Sequence, residues 1–365
     1  MKRILTLDGG GIRGVFSLAI LKHIESLFRQ HRGRPDLVLR DEFDFFAGTS
    51  TGAIIATCLA WGLGADEILR LYEQRGSEMF ARAMWHQRFF RNKYRADVIA
   101  EFFRSQFIED DGTPALLGTK KLSPTGRQKY LLLVMRNATT GSAWPVSNNP
   151  AALFNDLNDP GCNLNVPLWK LLRASSAAPT FFPPEEITLG GRTSLFVDGG
   201  LTPYNNPALI AALTATLPAY RMNWRATPDD LLVVSVGTGH VRAQLRKSQA
   251  RELHTLDFAR YIAPAMISSV AIEQDMICRI LGRCLHGADL DMELGNLHTS
   301  GLLDPAEKKF SYVRYDRRFT ADETDAFEKA TKKQFSLDNL DLIPELKKFG
   351  TDYAVANVRS EHLGL

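Results

Sequence analysis

Strand and helix patterns alternate along the first 240 residues of the chain. The apolar run Ile4–Leu7 predicts a first strand, and apolar residues at three- and four-residue spacing over 15–28 predict the helix that follows. A second apolar, aromatic run at 44–47 leads into a small-residue helical segment that reaches about Trp61. This alternation predicts an α/β fold in which a mostly parallel sheet is covered by helices on both faces.

The pattern continues with further strands and changes character beyond Arg242. Predicted strands cover 130–135, 195–197, 231–236 and 310–315, and predicted helices cover 168–174, 207–217, 253–281 and 320–332. The last helix begins with a capping box, in which Thr320 and Glu323 bond each other's backbone amides. We therefore expect one α/β domain over residues 1–242 and a mainly helical, accessory elaboration over 243–365 that packs on the same domain.

Composition places the chain among ordinary globular proteins. Of its 365 residues, 45% are hydrophobic and 23% are charged, and the formal net charge is only +3. So small a charge argues against a nucleic acid polymer as a partner. The four cysteines form no C-x-x-C pair and have no histidine spacing suited to zinc. We therefore expect free thiols, with neither a disulfide framework nor a metal site.

No stretch of the sequence predicts export or a membrane span. The apolar run that begins the chain ends at Asp8, too early for a signal peptide, and no run approaches about 18 apolar residues. We expect a cytoplasmic protein whose contact with lipid, at the inner membrane when it is active, is peripheral.

A glycine-flanked serine stands between a predicted strand and a predicted helix. Gly48, Ser50 and Gly52 form G-x-S-x-G, the pattern in which a serine occupies a sharp turn with its hydroxyl exposed. The positive N-terminus of the following helix would favour negative charge that develops at this turn. The string alone also occurs as a tight structural turn, but its context favours a nucleophile elbow with Ser50 as the nucleophile.

The first loop contains a second glycine motif, G-x-G-x-x-G, over residues 9–14. In a dinucleotide-binding oxidoreductase, an acidic residue follows this motif about 20 positions on, at the end of a second strand. Here Asp36 precedes an apolar run instead, which makes this alternative the weaker one. Backbone amides in such a turn form an anion site, which beside a nucleophilic serine is an oxyanion hole. Arg13 either holds the loop's shape or contributes positive charge.

Two residues compete to activate Ser50. Asp198 ends a predicted strand and precedes two glycines, a place where catalytic groups of open α/β sheets collect, although Asp-Gly is also a common turn. His240 follows the next strand and completes the chain order serine, aspartate, histidine of α/β-hydrolase triads. An esterase with a Ser50–Asp198–His240 triad therefore stays open beside a Ser50–Asp198 dyad.

The motifs at 8–14, 48–52 and 198–200, in this order, resemble those of the patatin-like phospholipases. The segments 174–184 and 231–239 resemble further parts of the same family. The resemblance implies a patatin-like three-layer sandwich with a mostly parallel central sheet. It also implies a Ser–Asp dyad that works without histidine, metal or organic cofactor.

Carried over motif by motif, the resemblance implies a role for each candidate residue. It implies Ser50 as the nucleophile, Asp198 as the proton acceptor, Gly48 and Gly52 as the elbow, and the loop of Gly9, Gly10, Gly11 and Arg13, chiefly the amides of Gly10 and Gly11, as the oxyanion hole. The implied activity is that of a phospholipase A, a lipid acyl hydrolase that works through an acyl-serine intermediate. A non-catalytic storage or binding protein of the same fold is the alternative from another class.

The substrate surface is expected to be a phospholipid membrane. The lipid-facing candidates are Trp85, Phe89 and Phe90 with Arg82, Arg88 and Arg91, and the segment 181–184. Aromatic and cationic side chains suit a bilayer interface, although aromatics buried in a core would give the same pattern.

A patatin domain with such an extension also resembles the effector phospholipases of cyclic-nucleotide anti-phage (CBASS) systems. That resemblance implies a cyclic dinucleotide as the activator. Arg314, Arg317 and Arg318 beside Tyr312 and Tyr315 could pair with its phosphates and stack on its bases, although such runs are usually a solvated strand edge. A homo-oligomer also stays open.

Overall fold

A computed structural model describes residues 1–80, 99–123, 126–179, 182–241, 255–298, 302–333, 335 and 339–365. Several lipid-facing candidates lie outside the described residues, namely Phe181 and the aromatic and basic residues between Arg82 and Arg91.

Within the described ranges, nine strands form a central sheet and two short strands pair separately. The strands are β1 (Lys2–Leu7), β2 (Phe45–Thr49), β3 (Tyr130–Asn137), β4 (Ser142–Ser147), β5 (Glu185–Leu189), β6 (Arg192–Asp198), β7 (Leu231–Val236), β8 (His240–Val241), β9 (Arg283–His286), β10 (Ser311–Tyr315) and β11 (Arg318–Phe319). The central sheet has the order β5-β6-β3-β2-β1-β7-β10-β9, with β4 also paired to β3, and β8 pairs with β11. The strands from β3 to β9 in this order run parallel, which confirms the predicted sheet.

Helices cover both faces of the sheet. They are α1 (Gly14–Arg32), α2 (Leu39–Glu42), α3 (Thr51–Trp61), α4 (Ala65–Phe80), α5 (residues 99–106), α6 (Leu168–Ser175), α7 (Ala208–Thr216), α8 (Thr255–Leu281), α9 (Ala321–Thr331) and α10 (Ile343–Asn357). Alternate residues of β1 enter different cores, because Leu5 and Leu7 pack with α1 and α3 whereas Ile4 packs with α7. The three-layer α/β architecture predicted from the sequence is therefore confirmed.

Most predicted elements are confirmed within a few residues of their expected bounds. The helix after Thr320 begins with the expected capping box, in which Thr320 Oγ1 accepts from the Glu323 amide at 3.2 Å. The sequence analysis missed the helices α2 and α10 and the strands β4, β5, β8, β9 and β11. Pro145 interrupts the pattern of β4, and β5 begins with two glutamates, so neither segment resembles a buried strand.

The segment beyond residue 242 supplies strands as well as helices. In parallel, β10 extends the sheet beside β7 and β9 extends it beside β10, so this segment is part of the central sheet and not a helical elaboration alone. Helix α10 also packs against α1 so closely that a Cβ on Gly350 would lie 2.5 Å from the Phe16 carbonyl oxygen.

The four cysteines form no disulfide. Cys58, Cys162, Cys278 and Cys284 are buried and unpaired. In the ranges that the structure describes, no helix combines the length and apolarity needed to cross a bilayer.

Candidate active site

A sharp turn between β2 and α3 carries Ser50. Its backbone has φ 55° and ψ −122°, which a non-glycine residue adopts only at a cost. The flanking glycines are sterically required, because a Cβ on Gly48 would lie 2.2 Å from the Gly52 carbonyl oxygen, and one on Gly52 would lie 2.2 Å from the Leu7 carbonyl oxygen. This geometry is that of the predicted elbow.

An exchange of partners along β3 brings Asp198 to this turn. Strand β2 pairs with β3 as far as Thr49 and Val134, and β6 pairs with β3 from Met135, which lies opposite Asp198. Because β4 pairs with β3 along both stretches, β2 and β6 must share the other edge of β3. Asp198 is therefore placed beyond the end of β2, and Ser50 Oγ donates a hydrogen bond to Asp198 Oδ2 at 2.7 Å.

The carboxyl group of Asp198 is nearly removed from solvent, with a relative exposure of 7%. Burial raises the pKa of Asp198 to about 6, while hydrogen bonds from the Gly200 amide and the Ser50 hydroxyl favour the carboxylate. The Gly200 amide donates to Asp198 Oδ1 at 2.7 Å, which leaves Oδ2 directed at Ser50. At neutral pH the group is a carboxylate whose pKa is unusually close to the ambient pH.

Ser175, a residue that the sequence analysis did not select, links the elbow to β3 by hydrogen bonds. Its Oγ accepts a hydrogen bond from the Ser50 amide at 2.9 Å and donates to the Val134 carbonyl at 2.6 Å. The hydroxyl thus ties β3 to the turn after β2. Its place in the serine- and alanine-rich segment at the end of α6 was the only signal in the sequence.

The glycine loop after β1 lies beside Ser50. A Cβ on Gly9 would lie 3.4 Å from the Ser50 Cβ, and the Gly9 amide donates to the Asn205 carbonyl at 3.1 Å. Gly10 passes so close to Thr238 that a Cβ there would lie 2.2 Å from the threonine Oγ1. Gly11 follows with φ 58° and begins the turn that leads into α1.

Two amides of this loop are available as donors. Among the described residues, the N–H groups of Gly10 and Gly11 have no hydrogen-bond partner. Donors of this kind at the start of a helix form an anion site. The preceding residue, Gly9, lies beside Ser50, and the role of these amides as an oxyanion hole stays a prediction.

Buried charges lie under the same loop. The Arg314 guanidinium donates to both carboxylate oxygens of Asp8 at 2.8 and 2.6 Å, and to Asp316 Oδ2 at 2.9 Å. Burial lowers the pKa of Arg13 to about 10, while the charges of Asp316 and Asp8 favour its cationic form. Arg13 is therefore a cation at neutral pH, with two carboxylates near it.

Other expectations fare differently. Tyr312 and Tyr315 are fully buried and Arg314 is paired inside the protein, so the suggestion that these three residues hold a dinucleotide is wrong. Of the other two candidates, Arg317 pairs with Glu323 at 3.1 Å and Arg318 donates to the Asp289 carbonyl at 2.7 Å. Phe182 is half-buried under the Arg173 guanidinium, 5.2 Å from the ring centroid, whereas Pro183 and Pro184 are exposed, so the lipid-facing role of this segment stays a prediction.

The structure adds no support for a dinucleotide-binding site or for a Ser50–Asp198–His240 triad. Asp36 lies in a turn before α2, where it pairs with Arg34 at 3.0 Å, and not at the end of a second strand. His240 lies in β8 opposite Arg318, and its side chain lies outside the described part. Among the described residues, no group of three or more His, Cys, Asp or Glu side chains could hold a metal ion.

Comparison with known proteins adds a family. A family model described as patatin-like phospholipase matches residues 5–212. The chain is 32% identical over 252 residues to a probable inactive patatin-like protein 9 of Arabidopsis thaliana, covering 65% of this chain and 60% of the relative. It is 29% identical over 258 residues to the mouse (Mus musculus) calcium-independent phospholipase A2-gamma, covering 67% and 29%.

A further relative is a cGAMP-activated phospholipase of Vibrio cholerae. The chain is 29% identical to it over 248 residues, which cover 65% of this chain and 64% of the relative. The chain thus spans less than two thirds of the length of each of these three relatives.

Proposed function

The chain belongs to the patatin-like phospholipase family, and we propose that it is a lipid acyl hydrolase that cleaves ester-linked acyl chains of membrane phospholipids. The observation that carries this proposal is the hydrogen bond of 2.7 Å from Ser50 Oγ to Asp198 Oδ2. A nucleophile in contact with a buried base, beside unpartnered backbone donors, is the arrangement that acyl transfer requires.

The reaction follows from these contacts. Ser50 Oγ attacks the ester carbonyl carbon while its proton passes to Asp198 Oδ2, and the carbonyl oxygen becomes an oxyanion facing the Gly10 and Gly11 amides. The tetrahedral intermediate collapses to an acyl-Ser50 ester, and Asp198 returns the proton to the departing lysophospholipid alcohol. A water molecule then repeats the sequence with Asp198 as its base, which releases the fatty acid and regenerates Ser50.

The environment of each group suits its task. A base is most effective when its pKa is near the working pH, and burial raises that of Asp198 to about 6. One well-placed oxyanion donor contributes roughly 10²–10³ in rate. The Ser175 hydroxyl, which holds the Ser50 amide, keeps the strained turn in place for the attack.

The direct contact supports a dyad over a triad. In a triad, an imidazole stands between the serine and the aspartate. Here the two side chains touch, with no ring between them. We therefore expect His240→Ala to keep activity within about threefold of the wild type, whereas Ser50→Ala loses at least about 10⁴-fold.

The similarity to a cGAMP-activated phospholipase supports an activator for this chain as well. Because that relative is a cGAMP-activated phospholipase, we propose that a cyclic dinucleotide switches this chain on and that the substrate is a membrane surface to which the protein binds peripherally. A role in anti-phage defence would follow from such an activator.

Vesicles test the proposal directly. Purified protein is incubated with phosphatidylethanolamine–phosphatidylglycerol vesicles, with and without cyclic GMP–AMP, and free fatty acid is measured. We expect fatty acid release that is lost in Ser50→Ala, and labelling of Ser50 by a serine-directed phosphonate. Equal activity in Ser50→Ala would refute the dyad. No release and no labelling under either condition would indicate a non-catalytic member of the family.

A further inference from the structure

Arg314 lies far from the catalytic motifs in the sequence but contacts Asp8, the residue before the glycine loop. It lies in β10, outside the region that the family model matches, and its side chain is only 5% exposed. Its two terminal nitrogens each donate to one oxygen of Asp8. A guanidinium fork held by both oxygens of a carboxylate fixes the orientation of that carboxylate as well as its position.

Asp8 is the residue from which the glycine loop departs. Strand β1 ends at Leu7, and the Asp8 amide still donates to the Val236 carbonyl at 3.2 Å. Gly9 follows, and its own amide is held by the Asn205 carbonyl. The direction in which the chain leaves the sheet, and so the direction of the Gly10 and Gly11 amides, depends on how Asp8 is fixed.

The same cation also holds a second carboxylate, that of Asp316. Asp316 accepts from Arg314 Nη2, and it also accepts from the Gly239 amide at 3.0 Å. Asp316 and Asp8 are the two carboxylates whose charge favours the cationic form of Arg13, the residue that closes the loop before α1. Arg314 therefore pairs with both carboxylates whose charge acts on Arg13, that of Asp8 at the start of the loop and that of Asp316.

We propose that Arg314 is a positioning residue of the active site, which clamps Asp8 and Asp316 so that the Gly10 and Gly11 amides face Ser50. This inference rests on the hydrolytic function proposed above. Three consecutive glycines give the loop many backbone conformations, and only a loop fixed in one of them stabilises an oxyanion without reorganisation. The segment beyond residue 242 is then required for catalysis.

The competing role for Arg314 is that of a buried ion pair that only stabilises the fold. A matched control exists in the same segment. Arg279 is also buried and also bidentate, with Nε donating to Asp275 Oδ1 at 2.9 Å and Nη2 to Asp275 Oδ2 at 2.7 Å, but Asp275 does not belong to the loop. Removing each fork in turn separates a general loss of stability from a loss of positioning.

The test compares Arg314→Met, Arg314→Lys and Arg279→Met in the full chain, with fatty acid release from the vesicles defined above. We expect Arg314→Met to lower kcat about 100-fold with KM within about twofold, because a displaced oxyanion hole costs transition-state binding and not substrate binding. Arg314→Lys keeps the charge without the fork and should recover at least about fivefold. Arg279→Met should keep kcat within about threefold of the wild type.

A double-mutant cycle tests the route through Asp8. If Arg314 acts by holding Asp8, the pair Asp8→Asn and Arg314→Met should lose no more activity than the worse single variant. The pH midpoint of kcat should stay where Asp198 sets it in all these variants. Should Arg314→Met fail to fold, Arg314→Lys and Asp8→Asn carry the same comparison.

The outcomes separate the two proposals. The positioning role would be overturned, while the dyad stands, by any of three results. These are a kcat of Arg314→Met within about threefold of the wild type, additive losses in the cycle, and an equal loss in Arg279→Met. Undiminished activity in Ser50→Ala would overturn the hydrolytic proposal and this inference with it.

Discussion

The nucleophile elbow and the glycine loop lie side by side at one edge of the sheet, but they are held in different ways. The elbow is enclosed by main-chain atoms, since those that exclude a side chain at Gly48 belong to Gly52 and Ala53. The Ser175 hydroxyl adds a single hydrogen bond, which it accepts from the Ser50 amide. The loop is fixed by contacts from distant parts of the chain, namely the Asn205 main-chain carbonyl, the Thr238 hydroxyl and the Arg314 guanidinium. A turn enclosed by main-chain atoms has no room for an added side chain, whereas a loop held by contacts from remote residues can be loosened and restored.

Gly48→Ala should have the largest effect. Its Cβ would lie 2.2 Å from the Gly52 carbonyl oxygen and 2.5 Å from the Ala53 nitrogen, so relief requires a shift of α3 against β2. We expect loss of phosphonate labelling and a fall of about 3 kcal/mol in the free energy of unfolding by urea.

A matched control for Gly48→Ala is Gly141→Ala in the β3–β4 turn. That position has φ 77° but nothing within 4 Å of an added Cβ. It should cost only about 1–2 kcal/mol and leave labelling unchanged. Normal labelling of Gly48→Ala would show that the main-chain atoms around Gly48 do not fix the elbow.

Gly9→Ala should lower activity less, and the loss should be reversible. The added Cβ would lie 2.4 Å from Asn205 Oδ1, the end of a side chain, and 3.4 Å from its next neighbours. We expect kcat to fall about 100-fold and to recover at least about tenfold in Gly9→Ala/Asn205→Ala. Asn205→Ala alone is the control. A double variant no better than Gly9→Ala would contradict the difference between loop and elbow.

The pH profile should separate the two regions further. Burial sets the pKa of Asp198 to about 6, so kcat/KM should rise about tenfold per pH unit below that value and reach a plateau above it. Defects in the loop, such as Arg314→Lys, should lower the plateau and leave the midpoint near pH 6. A midpoint that moves with the loop variant would show that the two regions are coupled through Asp198.

The last expected effect concerns how stability depends on pH and does not require activity to be measured. The pKa of Asp198 is raised from 3.8 in the unfolded chain to about 6 in the folded protein, so folding favours the protonated form. Its contribution is fully present below about pH 4 and is lost as the pH rises through 6, a change of about 3 kcal/mol. Asp198→Asn should therefore gain about that much relative to the wild type between pH 4 and pH 8. Urea unfolding at both pH values measures this, and parallel curves would contradict it.

The same contrast decides what the sequence could predict. The elbow was predictable because residues 48–52 form one continuous motif between a clear strand and a clear helix. The contact between Ser50 and Asp198 was expected from the family resemblance, but the exchange of partners along β3 that creates it cannot be seen in a linear pattern.

The supports of the site were not predictable. Ser175 contacts Ser50 across 125 positions, and Arg314 contacts Asp8 across 306. Both residues are polar and buried, so a hydrophobic pattern gives no reason to select them. The basic and aromatic composition around Arg314 indicated a ligand site, whereas the structure shows an internal ion pair.

The shared edge of β3 also limits which changes of length the gene can accept. Asp198 lies opposite Met135 in the ladder, so the loss or gain of one codon between Phe196 and Asp198 would shift that residue by about 3.4 Å and turn its side chain to the other face. The two-glycine turn at 190–191 lies outside this constraint, and an added Cβ at Gly191 would meet nothing within 4 Å. Insertions should accumulate at that turn and be absent from the three residues before the base.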